Sequence, residues 1–276
     1  VEEQRILVAS AHPGESDEQT PYLRYMTQSG RRIGEMHVAL AGNSELPEFA
    51  PEPCRREDLQ RWVDDILARA ERIFDTFRQR RDSLKEPDRV LADQLLALEK
   101  DLPTLLNEML PREIDSFNIR LHGDLHLGQM LIVKDDIFII DFEGEPRRTI
   151  LERRRKAPAA RDVAGLIRSI DYSATAAYER ALKFFPDEHH NRLAVALAEW
   201  RDRATDAFLA SYHEATEGQR FWPTDHDAAA QILNFFLVEK AFYEVEYELA
   251  HRPDWLRVPL TGIIRILSHK PEEDAS

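Results

Sequence analysis

Cysteine is almost missing: Cys54 is the single one in 276 residues. An intrachain disulfide is therefore excluded, and a reducing cytoplasm suits the chain. Long apolar runs are missing as well. None approaches the ~18 residues of a membrane-crossing helix, and no signal peptide opens the sequence. Basic residues are outnumbered, 37 against 51 acids for a net charge of −14. That balance argues against nucleic acid or an anionic membrane as the main partner. There is no internal repeat, low-complexity tract or interdomain linker, and no G-x-G-x-x-G run or V-A-I-K-like strand. Nothing in the sequence thus reads as a loop that covers the phosphates of a nucleotide. The sequence opens on Val1 rather than Met, which suggests a piece of something longer.

What is present is organised around Leu121–Pro146, LHGDLHLGQMLIVKDDIFIIDFEGEP. Asp124 stands two residues after His122, and the amide side chain of Gln129 follows Asp124 by five. This is the spacing of a kinase catalytic loop, H-R-D-x-x-x-x-N, with Gly123 in place of the Arg and Gln129 in place of the Asn. Met130–Val133 and Ile137–Ile140 read as two short strands joined by the turn pair Asp135-Asp136. The hairpin delivers Asp141, followed by Phe142 and Glu143, where a kinase keeps the Asp of D-F-G. The residue types suit phosphoryl transfer, which asks mainly for positioning and charge neutralisation. Asp124 would accept the proton of an attacking hydroxyl. Asp141 and the Gln129 carbonyl would hold Mg²⁺, a hard cation that prefers oxygen. Taken singly, H-G-D is a turn, a strand-ending Asp is a helix cap, and His122 with His126 are zinc ligands lacking a Cys pair or H-E-x-x-H. The joint pattern favours kinase-type chemistry.

Around this stretch the chain reads as helices. Tyr22–Ala41 has helical spacing, with Gly30 and Gly34 allowing close approach of a neighbour and His37 a packed histidine with a partner rather than a ligand. Leu46–Pro53, with three prolines, reads as a loop. Arg55–Arg81 carries an apolar stripe from Leu59 to Phe77. A third helix turns Leu91, Leu95, Leu98 and Leu102 inward, and Pro103 restarts it toward Met109. Ala160–Phe184 and Arg192–Tyr212 are similar. A capping box at Thr224-x-x-Asp227 opens a long helix to about Leu249, and a short helix around Gly262–Ser268 closes the pattern.

Two features stay open between readings. The basic run Arg147–Arg161 is either a solvated face or a set of cations near phosphates. On the helix Asp225–Leu249, Lys240, Tyr243 and Tyr247 lie opposite the stripe Phe235, Val238, Phe242, Val245 and Leu249. They either donate hydrogen bonds to a polyhydroxy ligand or are a snorkelling Lys with two core tyrosines, which composition alone favours.

HGDLHLGQ, DFEGEP, RDVAGLIRSIDYSA, KAFYEVEYE and RPDW occur in the order seen in bacterial maltokinases, which the chain resembles over roughly Arg24–Leu267. The resemblance implies a mainly α fold with a small β-hairpin, the C-terminal lobe of a protein-kinase-like (aminoglycoside phosphotransferase-like) fold. It assigns residues 1–21 to the end of an upstream lobe or linker and residues 22–276 to the catalytic and acceptor lobe. It further implies ATP-dependent phosphorylation of maltose to maltose 1-phosphate, with ATP and Mg²⁺ as cofactors. Asp124 would be the base, Gln129 and Asp141 the Mg²⁺ ligands, and His122 would lie on the nucleotide side. Glu143, Lys240, Tyr243 and Tyr247 would lie on the sugar side. Partners would be a nucleotide-covering lobe and a fused or associated trehalose synthase, without which this stretch alone is expected to transfer little phosphate. Aminoglycoside or choline kinases, and a non-catalytic kinase-like module, are the alternatives. Lys240 would repel a cationic acceptor, and a module without activity would be expected to have lost Asp124 or Asp141.

Overall fold

A computed structural model describes residues 20–42, 45–146 and 148–268. The tail expected over 1–21 therefore lies almost wholly outside the described residues. The order is α1 (Thr20–Ala41), β1 (Glu52–Pro53), α2 (Arg56–Arg80), α3 (Glu86–Ala97), α4 (Leu102–Glu108), β2 (Phe117–Asn118), β3 (Met130–Val133), β4 (Asp136–Ile139), α5 (Ile150–Arg154), α6 (Ala160–Leu182), α7 (His190–Ala215), α8 (His226–His251) and α9 (Arg257–Ser268). The mainly helical architecture with one hairpin is as the sequence predicts. No described helix is long and apolar enough to cross a membrane.

Helix α8 runs through the centre. Its stripe Phe235, Val238, Phe242 and Val245 is fully buried and joins α2, α3, α4 and α9 in the larger of two apolar clusters. Burial of large side chains is the main stabilising term here, about 1.5–3 kcal/mol for each. The helix starts one residue later than a capping box at Thr224 would place it. Asp225 is the cap, accepting a hydrogen bond from the Ala228 amide at 2.8 Å. Cys54 lies in the larger cluster, and burial pushes its thiol up to about 12, far from any nucleophilic role.

The smaller cluster matters more for position. Leu125, the residue after Asp124, is buried there with Ile33 of α1, Val163 and Leu166 of α6, and Phe208 and Tyr212 of α7. Gly165 brings the α6 backbone against this loop, and a Cβ there would stand 2.7 Å from the Leu125 carbonyl oxygen. Gly30 and Gly34 do the same for α1 and α7, as their spacing suggests. A Cβ on Gly30 would run into the Phe208 carbonyl and stand 2.9 Å from the Tyr212 nitrogen. Because backbone cannot yield as a side chain can, Gly30→Ala is expected to destabilise by at least the usual 1–3 kcal/mol of overpacking, about that range. Thermal denaturation checks this, and an unchanged Tm would mean that the two helices do not meet so closely.

The strands depart from expectation in three ways. Glu52 and Pro53, within the proline-rich loop, pair antiparallel with Asn118 and Phe117. The hairpin register couples Val133 to Asp136, so the turn is Lys134-Asp135 rather than Asp135-Asp136. Both turn residues have positive φ, 49° and 62°, the conformation of a two-residue turn that follows strand twist. Finally, the apolar strands are hardly core: Ile137 is buried, while Leu131, Phe138 and Ile140 are exposed. Polar contacts to α1 hold the turn instead. Arg32 and Gln28 donate to Asp136 at 2.9 and 2.7 Å, which keeps that carboxyl down at about 2.

Candidate active site

The loop carrying Asp124 is fixed from beneath by Asp162 on α6. The Asp162 carboxylate accepts the His122 amide at 2.8 Å and the Gly123 amide at 3.0 Å. His37 Nε2 reaches the same carboxylate at 3.2 Å, and its Nδ1 meets the Tyr212 hydroxyl at 2.9 Å. His37 is thus the partnered histidine that its position suggests. Gly123 adopts φ +87°, a left-handed conformation that disfavours an Arg there.

Full burial pushes the Asp162 carboxyl up, but the bond to His37, the two neighbouring imidazoles and the Gly123 amide outweigh it and hold it below the usual range. A lowered folded value means stability that is complete above the unfolded value, roughly 4, and is lost as pH falls through the folded one. Asp162→Asn is expected to cost about 3–5 kcal/mol at neutral pH, as for a broken buried pair. The gap to the parent should narrow below roughly pH 4. Melting curves across pH read both, and a gap constant with pH would remove the charge from the account.

The second wall is the hairpin end. Ile140 N donates to Gln129 O at 3.0 Å, which extends the ladder past β4. Asp141 then takes φ +65°, uncommon for a residue with a side chain. Its carboxylate accepts from the Gln129 amide nitrogen at 3.1 Å. Turning that amide by half a rotation, which costs no other described bond, sets the Gln129 carbonyl oxygen beside Asp141. An amide oxygen and a carboxylate fit Mg²⁺, which takes one or two such ligands together with phosphate oxygens and water. His122 is 1% exposed. Its Nε2 meets the Ile140 carbonyl at 2.8 Å and its Nδ1 accepts the Asp124 amide at 3.3 Å. It therefore joins the two walls from inside. His126 Nδ1 likewise accepts the Gly128 amide at 3.0 Å. Glu143 is exposed, and its carbonyl meets Arg153.

The third wall is α8. Lys240 Nζ stands 3.5 Å from Asp124 Oδ1 and 4.8 Å from the centre of the Tyr243 ring. These three share a narrow cleft with Glu145, Arg148 and Arg161. Tyr247 is a turn farther on, stacked on His251 at 4.6 Å with Arg252 over its ring at 5.2 Å. The structure therefore brings together Asp124, Lys240 and Tyr243, and separately Gln129 and Asp141, while Tyr247 and Glu143 lie apart from the cleft.

Residues 1–189 match the phosphotransferase enzyme family (APH), more than two thirds of the chain. The chain belongs to the phosphotransferase enzyme family. Among curated proteins it is similar to a glucosamine kinase of Mycolicibacterium smegmatis, 31% identical over 149 residues, 53% of this chain and 34% of that one. A glucosamine kinase of Streptacidiphilus jiangxiensis is 24% identical over 249 residues, 88% of this chain and 49% of that one. Among solved structures, a glucosamine kinase superposes with a TM-score of 0.68 at 22% identity, over 91% of this chain and 54% of that chain. Another, in complex with glucosamine, ADP and inorganic phosphate, gives 0.64 at 22% identity, over 91% and 53%. The chain spans about a third to a half of the curated relatives it matches, and the solved structures share its fold.

Three further residues of the cleft were not singled out by number in the sequence. Glu145 sits inside the motif DFEGEP but next to more conspicuous acids. Arg148 and Arg161 come from the basic run, and neither is a solvated cation: both donate to Glu239, 4% exposed on α8, at 3.0 and 3.1 Å. Arg69 of α2 lies 3.9 Å from the same oxygen. Burial pushes the Glu239 carboxyl up, but Arg161, Arg148, Arg69 and Lys240 overcome it and hold it at about 2.

Proposed function

We propose that this chain is the catalytic and acceptor-binding lobe of an ATP-dependent sugar kinase, with maltose as the acceptor and maltose 1-phosphate as the product. The observation that carries the reading is the meeting of Asp124 and Lys240 at 3.5 Å in one cleft, with Gln129 and Asp141 paired at 3.1 Å at the hairpin end. In this reading Asp124 Oδ accepts the proton of the attacking sugar hydroxyl and orients it. Lys240 and the Tyr243 hydroxyl hold neighbouring hydroxyls, fixing the acceptor at reacting distance. Asp141 and Gln129 would hold Mg²⁺, which would supply charge neutralisation at the ATP phosphates. His122 keeps the two walls at constant separation.

ATP would be completed from above by a nucleotide-covering lobe. The exposed Leu131, Phe138, Ile140 and Phe142 beside Asp141 give such a lobe an apolar seat. A trehalose synthase, fused or associated, would supply maltose, and a cytoplasmic setting agrees with the single buried thiol. A second acceptor, glucosamine, is favoured by the names of the relatives and by the cleft's charge. Four carboxylates, of Asp124, Glu145, Asp162 and Glu239, face three cations there, Arg148, Arg161 and Lys240. Against it, Lys240 occupies the space nearest the base. Phosphorus NMR on a protein carrying this chain with its nucleotide-covering lobe, supplied with ATP and a sugar panel, tests the reading. A sugar 1-phosphate from maltose supports it, a phosphate ester from glucosamine alone transfers it to the second acceptor, and ATP turnover with neither overturns it.

A further inference from the structure

Arg148 and Arg161 reach the cleft from different elements, the segment after the hairpin and the first turn of α6, and both line it. Each spends one terminal nitrogen on the same oxygen, Glu239 Oε1, at 3.0 and 3.1 Å. No other side-chain bond is made by either guanidinium among the described residues. Glu239 itself is 5% exposed at its side chain, and the two arginines are 24% and 18% exposed. This is an expensive arrangement for stability alone. Two planar cations are stripped of most of their water and share one acceptor, and burial together with the Arg161 charge lowers the pKa of Arg148. A third cation, Arg69, closes the far side of Glu239.

What the arrangement provides is rigidity. The guanidinium is a planar fork with five donors, and a fork whose one prong is anchored on a buried carboxylate points its other N–H groups in a fixed direction. Glu239 also immediately precedes Lys240, so the anchor and the cation beside Asp124 share one turn of α8. A phosphate is not the ligand that these forks suit best. The cations of the cleft are already matched by carboxylates, four against four once Arg69 is counted, so no net positive charge is left to draw a further anion. Vicinal hydroxyls of a sugar ring suit them well, because a fork donates to two oxygens at once without adding charge.

Resting on the sugar-kinase reading of the same cleft, we propose that Arg148 and Arg161, locked by Glu239, are specificity-determining donors to the acceptor sugar. They grip hydroxyls away from the reacting one and set how far the ring enters over Asp124. Glu239 is a positioning residue that acts through them.

Arg→Lys at either position keeps the charge beside Glu239 but removes the fork, and it is the deciding variant. In the protein with both lobes, Arg161→Lys and Arg148→Lys are each expected to raise KM for the acceptor roughly 2- to 13-fold, the range for losing one hydrogen bond while the charge is kept. KM for ATP and Tm should stay close to the parent's. Glu239→Gln should raise the acceptor KM as well, by freeing both forks. A structural role predicts the opposite split: a lowered Tm with an unchanged acceptor KM, which would overturn the proposal. If the parent phosphorylates no sugar, the function has failed but the inference is still read directly. Saturation-transfer NMR on the 276-residue chain with maltose and with glucosamine then reports binding. Sugar signals present in the parent and weakened in Arg161→Lys sustain the inference, while signals equal in both, or absent from the parent, end it.

Discussion

Asp124→Asn is expected to lower kcat for sugar phosphorylation by about 10²–10⁴-fold, the usual range for removing a general base. The substitution keeps the shape of the side chain, so the loop, held through the His122 and Gly123 amides by Asp162, should stay in place. The Mg²⁺ requirement should barely change, because Gln129 and Asp141, paired with each other at 3.1 Å, both keep their oxygens. Asp141→Asn should behave differently. Its loss of charge leaves one neutral oxygen donor where a carboxylate stood, and half-maximal activity should need a higher Mg²⁺ concentration. Titrating Mg²⁺ at saturating ATP separates the two. Identical titration curves for both variants would mean that the roles have been divided wrongly.

Lys240→Ala is expected to act through the acceptor. A hydrogen bond from a charged donor contributes about 1.5–3 kcal/mol, which corresponds to roughly 10- to 150-fold in KM for the sugar. Lys240 also neutralises Asp124 across 3.5 Å, so kcat should fall along with the rise in KM, while KM for ATP stays nearly constant. Tyr243→Phe removes one hydroxyl and should give a smaller change in the same direction. The competing account makes Lys240 a snorkelling side chain whose stem covers core. It predicts a lower melting temperature with both KM values untouched. Steady-state constants and Tm on these two variants decide between them.

Much of the fold was legible because helices buried on one face repeat their apolar residues every three or four positions. The stripes of α2, α6 and α8 fall where that period puts them. The hairpin was legible as two apolar runs, but its register was not. The turn residues Lys134 and Asp135 adopt positive φ without the Gly that normally announces such a turn. Strands of two residues, one of them a proline, leave no periodic trace at all. The catalytic half of the candidate site was readable for the same reason as a motif is: Asp124, Gln129 and Asp141 lie within one short stretch. The acceptor half was only partly readable. Lys240 and Tyr243 share a helix face, but Arg148 and Arg161 meet Glu239 across 91 and 78 residues. A pairing across such a distance has no signature in a single sequence. Composition leaves a basic run open between solvated surface and cations near phosphates.

The supports of the site also set a timetable for its assembly. Helix α1 precedes the groups that its side chains hold by a long stretch of chain. Arg32 waits 104 residues for Asp136, and His37 waits 175 residues for Tyr212. At the ordinary pace of synthesis, about 5–20 residues per second, the His37 partner follows by roughly ten to thirty-five seconds. For that interval the glycine-bearing face of α1 has no α7 to lie against, and Asp162, the carboxylate that will hold the catalytic loop, has not all of its final neighbours. On the ribosome the loop carrying Asp124 thus exists before all of the scaffold that shapes it, and the candidate site closes only after α7 and α8 have been made.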